Sequence, residues 1–145
     1  MSGQSTEVIL NRVLIQLSRS FLQYVSESSP WVRYDAPSLA TEIESLAAQQ
    51  RDDVGRLVEL LNEREHFVDF GSFPTEYTDQ QFLGLDVLIG RLERSQSKIN
   101  GLISSAVDSV QHDGEASILL TQVLLNEKQI EASLGSVAKD VKQPV

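Results

Sequence analysis

Apolar residues in this chain recur at spacings of three and four in four blocks, and no block alternates with period two. The pattern predicts an all-α protein. Helix A spans about 6–27, with Leu10, Leu14, Leu17, Phe21 and Tyr24 on one stripe and "SESSP" ending it. Helix B spans about 38–65; Asp35 or Ser38 can cap it, and Pro37 suits a first turn. Helix C spans about 79–112, opened by Thr78 with Gln81 three residues on as a capping box. "HDG" then breaks the chain, helix D spans about 115–139, and the tail "DVKQPV" is expected to fray. Residues 1–145 are thus expected to form a single four-helix bundle domain.

The links refine the arrangement. "QHDGE" and "SSPWVRYDA" are short, which predicts antiparallel C–D and A–B hairpins, with Trp31 covering one end of the core. The B–C link "HFVDFGSFPTEY" carries Phe67, Val68, Phe70, Phe73 and Tyr77, more apolar surface than a solvated turn needs, so it is expected to lie against the bundle. Fully extended it reaches roughly 40 Å at ~3.3 Å per residue. A helix of about 25 residues is roughly 37 Å long, so the link can cross the bundle and leave B and C parallel. An up-down-up-down bundle is the competing topology.

Each of the last three stripes is interrupted near its middle. Helix B reads Leu39, Ile43, Leu46, Gln50, Asp53, Leu57 and Leu60. Helix C reads Phe82, Leu85, Ile89, Leu92, Gln96, Ile99, Ile103, Ala106 and Val110. Helix D passes from Leu119 through Gln122 or Val123 to Asn126, then Gln129 or Ile130, Ser133 and Val137. Side-by-side packing keeps midpoints level, so Gln50, Asp53, Gln96, Asn126 and Gln129 are expected to meet in one buried polar layer, with Tyr24 from helix A. A slip of helix phase would instead turn any one of them to water. A buried polar group left unsatisfied costs about 1–3 kcal/mol, so the layer should bond internally or hold water. Adjacent helical residues point about 100° apart, so of Asp52 and Asp53 at most one faces inward. Gln96, Gln129 or Arg51 can serve Asp53 as donors; without one it takes up a proton.

Composition narrows the chemistry. The formal net charge of −9 repels a phosphate backbone, which argues against nucleic acid as a partner. No apolar run approaches about 20 residues and "MSGQSTEV" has no signal-peptide pattern, so neither a membrane span nor secretion is expected. The absence of cysteine excludes thiolate chemistry and fits a reducing, cytoplasmic compartment. His66 and His112 fall near predicted helix ends, away from the layer, and read as capping or surface residues. No glycine-rich phosphate loop is present. Glu59, Glu63 and Glu65, with Arg56 and Arg64, read as a solvated face. Gly55, Gly84 and Gly90, inside predicted helices, suggest close helix approach or a homodimer through helix faces.

The pattern resembles the ferritin-like superfamily, bundles that commonly hold a di-iron or di-manganese centre. In metal-binding members two helices each supply a Glu and two supply a Glu-x-x-His pair. Here "QRDD" (Gln50 to Asp53) and "NEKQ" (Asn126 to Gln129) stand where those pairs would be, and Gln96 replaces one lone Glu. Leu17, seven residues before Tyr24, or Gln16, stands for the other. Amides are neutral and poor ligands for transition metals, so the resemblance implies a degenerate centre: no cofactor, no catalytic residue and a structural, binding or protein-interaction role. The alternative is an iron- or manganese-dependent oxidoreductase or iron-handling protein with atypical ligands. A small-molecule binder using the layer as the floor of its pocket is a third reading. The sequence names no protein partner.

Overall fold

A computed structural model describes residues 5–28, 37–80 and 84–142, and all regular structure among them is helical. Helix α1 spans Thr6–Ser18, α2 Phe21–Ser28, α3 Pro37–Glu63, α4 Leu85–Ser109 and α5 Gly114–Lys142, with a 3-10 turn at Thr75–Gln80. Trp31, Asp35, Gln81 and Phe82 lie outside the described residues.

The predicted helix A is two helices. Ser5 caps α1 by accepting the Val8 N–H at 3.2 Å. The helix then stops at Ser18, because the Ser20 hydroxyl accepts the Gln23 N–H at 3.2 Å and starts α2 afresh. A serine that can bond the backbone two or three residues ahead offers the chain an alternative to continuous helix. Here the same hydroxyl is also committed to a buried partner on α3, described below.

Helix C begins later than predicted. Pro74 initiates the 3-10 turn, its carbonyl accepting the Tyr77 N–H at 3.1 Å, and Thr78 belongs to that turn. Gly84, extended at φ −63 and ψ 157, is the N-cap of α4 rather than a residue within it. At the other end Asp113 caps α5, its Oδ1 accepting the Ala116 N–H at 3.2 Å. Helix α5 continues to Lys142, past the point where fraying was expected.

Long-range bonds fix how the helices lie. Gln23 on α2 reaches the Ala47 carbonyl on α3, while Arg64, just beyond α3, reaches Glu7 at the start of α1. Those two contacts make α1–α2 antiparallel to α3. Gln96 and Asn100 on α4 both reach Glu127 on α5, and Glu93 sits against Gly135, which makes α4 and α5 antiparallel. A side chain at Gly135 would meet the Glu93 carboxylate at 3.3 Å.

Two apolar clusters fill the interior. One contains Leu10, Leu14, Leu17, Leu57, Leu61, Ile103 and Leu120. The other contains Phe21, Ile43, Leu46, Leu88, Ile89, Ile130 and Leu134, so the first halves of α3 and α4 lie at the same end. Each fully buried leucine contributes roughly 1.5–3 kcal/mol, and these clusters carry most of the fold's stability.

Residues 64–77 run along α1 and α2 from one cluster to the other. Asn11 pairs twice with the Asp69 backbone, donating to its carbonyl at 3.0 Å and accepting its N–H at 2.9 Å. Arg19 donates to the Phe70 and Gly71 carbonyls and lies 5.0 Å over the Phe73 ring. Phe73 and Tyr77 then pack against Tyr24, and Tyr77 also against Phe21. Not every aromatic of the segment turns inward: Val68 packs on the core, whereas Phe67 is 81% exposed and Phe70 43%. An extended chain presents successive side chains to opposite sides, so it cannot bury both 67 and 68. Gly71 has φ +69 and a Cβ there would fall 2.8 Å from Ile15 Cγ2, so this close passage requires glycine.

Gly55 and Gly90 do not mark a close approach of two helices. A Cβ at Gly55 would meet nothing within 4 Å, and one at Gly90 only the Arg94 guanidinium of its own helix. Among the described residues no helix is long and apolar enough to cross a membrane.

Candidate functional site

Between the two apolar clusters the buried residues are polar. Gln50 and Asp53 on α3, Gln96 and Asn100 on α4, Glu127 on α5, and Ser20 and Gln23 around the start of α2 are all buried. Gln50 is the hub. Its Oε1 accepts from Ser20 Oγ at 2.6 Å and Gln23 Nε2 at 3.1 Å. Its Nε2 donates to Gln96 Oε1 at 3.1 Å and Glu127 Oε1 at 2.9 Å. All four hydrogen-bonding positions of this amide are therefore filled.

The amides form a directed series across the bundle. Arg51, exposed at one rim, donates to Gln23 Oε1 at 3.0 Å, and Gln23 Nε2 donates to Gln50. Gln50 donates to Gln96, Gln96 Nε2 donates to Asn100 Oδ1 at 3.0 Å, and Asn100 Nδ2 donates to Glu131 Oε1 at 2.7 Å at the far rim. A guanidinium can only donate and a carboxylate can only accept, so the ends agree with the sense that the Ala47 carbonyl and Glu127 set for the amides between them.

Two carboxyl groups enter this layer, both fully buried. Asp53 Oδ1 accepts from Asn126 Nδ2 at 2.8 Å and from Arg56 Nη1 at 2.9 Å. Glu127 Oε1 accepts from Gln50 and from Gln96 Nε2, each at 2.9 Å. The remaining oxygen of each, Asp53 Oδ2 and Glu127 Oε2, is buried without a hydrogen-bond donor. The Glu127 carboxyl is pushed up to about 8, first by burial and then by Asp53, with the Gln50 donor opposing.

The residues expected at this level are distributed unevenly. Gln50, Asp53 and Gln96 are buried in it. Asn126 is half-buried at its edge, where it serves Asp53, and Gln129 is exposed. The α5 residue inside the layer is instead Glu127, because the buried stripe of α5 is Ala116, Leu120, Val123, Glu127, Ile130, Leu134 and Ala138. That stripe is one residue out of phase with one begun at Leu119. Leu17 is buried within the first apolar cluster and Gln16 is exposed; Ser20 and Gln23 are the residues that reach Gln50. Tyr24 packs its ring among Phe21, Phe73 and Tyr77. The donors to Asp53 are Arg56 and Asn126, not Gln96, Gln129 or Arg51. Arg51 serves Gln23.

The histidines lie elsewhere. His112 Nε2 is 3.3 Å from Thr6 Oγ1 at the start of α1, and His66 Nδ1 is 2.9 Å from the Phe67 carbonyl oxygen. Among the described residues no group of three or more His, Cys, Asp and Glu side chains is placed to hold a metal ion. A dinuclear centre needs about four carboxylates and two imidazoles, and this layer offers two carboxyls, four amides and a hydroxyl. The residues do not fit such a centre. Among the described residues, surface cavities of about 560, 400 and 210 Å³ are lined by residues outside the buried layer, the first reaching Glu131 at its rim.

Comparison of the chain with protein-family models, with curated proteins and with solved structures finds no match in any of the three.

Proposed function

We propose that this protein is a non-catalytic, ferritin-like four-helix bundle in which a hydrogen-bonded layer takes the place of a di-metal centre, and that it serves a structural or binding role. The internal closure of the layer carries the reading. Gln50 and Gln96 bond to one another and to Glu127, and a metal would require those groups to abandon one another. The path of residues 64–77 along α1 and α2 supports the ferritin-like connection, with A–B and C–D hairpins joined by a crossover. In this register Gln50 and Asp53 hold one Glu-x-x-His pair of positions, and Glu127 and Ile130 hold the other. An isoleucine at the second imidazole position further weakens any case for iron or manganese. An acidic surface makes protein or small neutral partners better candidates than nucleic acid.

Metal analysis of protein produced with excess iron, manganese and zinc tests the proposal. The expected result is substoichiometric metal that Asp53→Ala does not change. Near-stoichiometric metal that disappears in the Asp53→Ala variant would establish a metal-dependent protein instead.

A further inference from the structure

We propose that the layer is a proton-binding site: Glu127 holds a proton on Oε2 and donates it to Asp53 Oδ2, clasping α5 to α3, so that the bundle tightens on proton uptake. This inference rests on the metal-free reading above, since an ion between the two carboxyls would take the proton's place.

The hydrogen-bond inventory leads to the proton. Each carboxyl has one oxygen with two donors and one with none. The two bare oxygens share one buried layer, on Asp53 of α3 and on Glu127 of α5, whose neighbour Asn126 bonds to Asp53 at 2.8 Å. Burial and then Asp53 push the Glu127 carboxyl up. As two carboxylates they would set charge against charge in the interior with no donor between them. A single proton gives the missing donor to one and the missing partner to the other. Gln23, Gln50, Gln96 and Asn100 each commit both amide N–H groups to other acceptors, so none of these four serves either oxygen.

The surrounding charges favour one proton rather than none or two. From α3, Arg56 bonds to Asp53 Oδ1 and compensates one negative charge. Arg51, also on α3, is occupied with Gln23, and Glu131 on α5 accepts from Asn100. Helix α4 presents only the amides Gln96 and Asn100, and α2 only Ser20 and Gln23. One cation thus meets two acidic groups, and the second negative charge has nothing to balance it.

The sign of the resulting pH effect follows from linkage. Glu127 is held above its ordinary carboxyl range, so the folded state binds a proton that the unfolded chain releases. The stabilisation is complete below about pH 4.5 and is lost as the pH rises through about 8.

Infrared spectroscopy and equilibrium unfolding on the same sample, first analysed for metal, provide the test. At pH 6 the wild type is expected to show the carbonyl stretch of a buried protonated carboxylic acid, absent from Glu127→Gln. The wild-type unfolding midpoint should fall between about pH 5 and about pH 8. In Glu127→Gln the amide N–H₂ replaces the acid O–H. That variant should match the wild type at pH 5 and exceed it at pH 8. Metal-free protein lacking the acid band at pH 6, or a Glu127→Gln variant that keeps the full wild-type slope, would overturn the proton site and leave the metal-free reading standing. Bound metal in that sample would overturn both. The infrared measurement needs only the wild type, so a poorly folding variant does not blunt it.

Discussion

Glu65 occupies a backbone conformation that suits glycine. With φ 57 it is the left-handed residue that ends α3: its N–H bonds to the Asn62 carbonyl, and the His66 N–H bonds to that of Leu61. A side chain in this region costs roughly 1–2 kcal/mol, and Glu65 is exposed. Glu65→Gly removes that cost but adds freedom to the unfolded chain, so a net stabilisation of about 0.5–1 kcal/mol is expected, read as a higher denaturant midpoint. Single residues are also where sequence reading met its limit. Gln50 and Gln96 were legible because each interrupts an otherwise apolar stripe. Glu127 was not, because Leu119 and Leu120 offer two starting phases about 100° apart, and only the second turns Glu127 inward. Ser20 and Gln23 were hidden for a related reason: the apolar stripe Leu17, Phe21, Tyr24 continues smoothly past the point where the helix restarts.

At the scale of the element, one side chain ties three helix ends together. Arg64, read from its own helix as one of a solvated series, donates to both oxygens of Asp113, to Glu7 and to Glu115. Its partners are about fifty residues away, so spacing within α3 carries no trace of them. Because Asp113 is also the cap of α5, the contact couples the end of α3 to the start of both α1 and α5. Arg64→Met is expected to cost about 1–3 kcal/mol, more than a lone surface ion pair, in equilibrium unfolding at neutral pH. The same contact shapes acid stability. Asp113 is lowered to about 2, chiefly by Arg64 and then by the Ala116 N–H. Its contribution is present above the ordinary Asp range and lost as the pH falls toward 2, and in the variant that acid-side loss should shrink. The element boundaries that were legible had local causes, such as Pro37 at the start of α3 and Asp113 before α5. The late start of α4 has no such local signal: Tyr77, in the preceding 3-10 turn, packs on Phe21 and Tyr24 of a neighbouring helix.

For the whole molecule, the layer joins α2, α3, α4 and α5 through groups that depend on one another. Gln50→Leu would make the α3 stripe apolar through Gln50, yet it strips partners from Ser20, Gln23, Gln96 and Glu127. Buried groups left without partners outweigh the gain in apolar burial, and a loss of about 2–4 kcal/mol is expected by chemical denaturation. The layer's height was legible from the level of the three interruptions, and so were Gln50, Asp53 and Gln96; the rest of its membership was not, since hydrogen bonds across helices have no period along the chain. The directed amide series has a consequence beyond stability. Every amide oxygen in it faces Arg51 and every amide nitrogen faces Glu131, so the small dipoles add across the bundle instead of cancelling. The interior therefore has a polarity that runs from one rim to the other, stepping along α4 between Gln96 and Asn100. Neutralising exposed Arg51 would remove one end of that series, while the Ala47 carbonyl and Glu127 still hold Gln23, Gln50 and Gln96 in the same sense, so the centre keeps its direction without its outer donor.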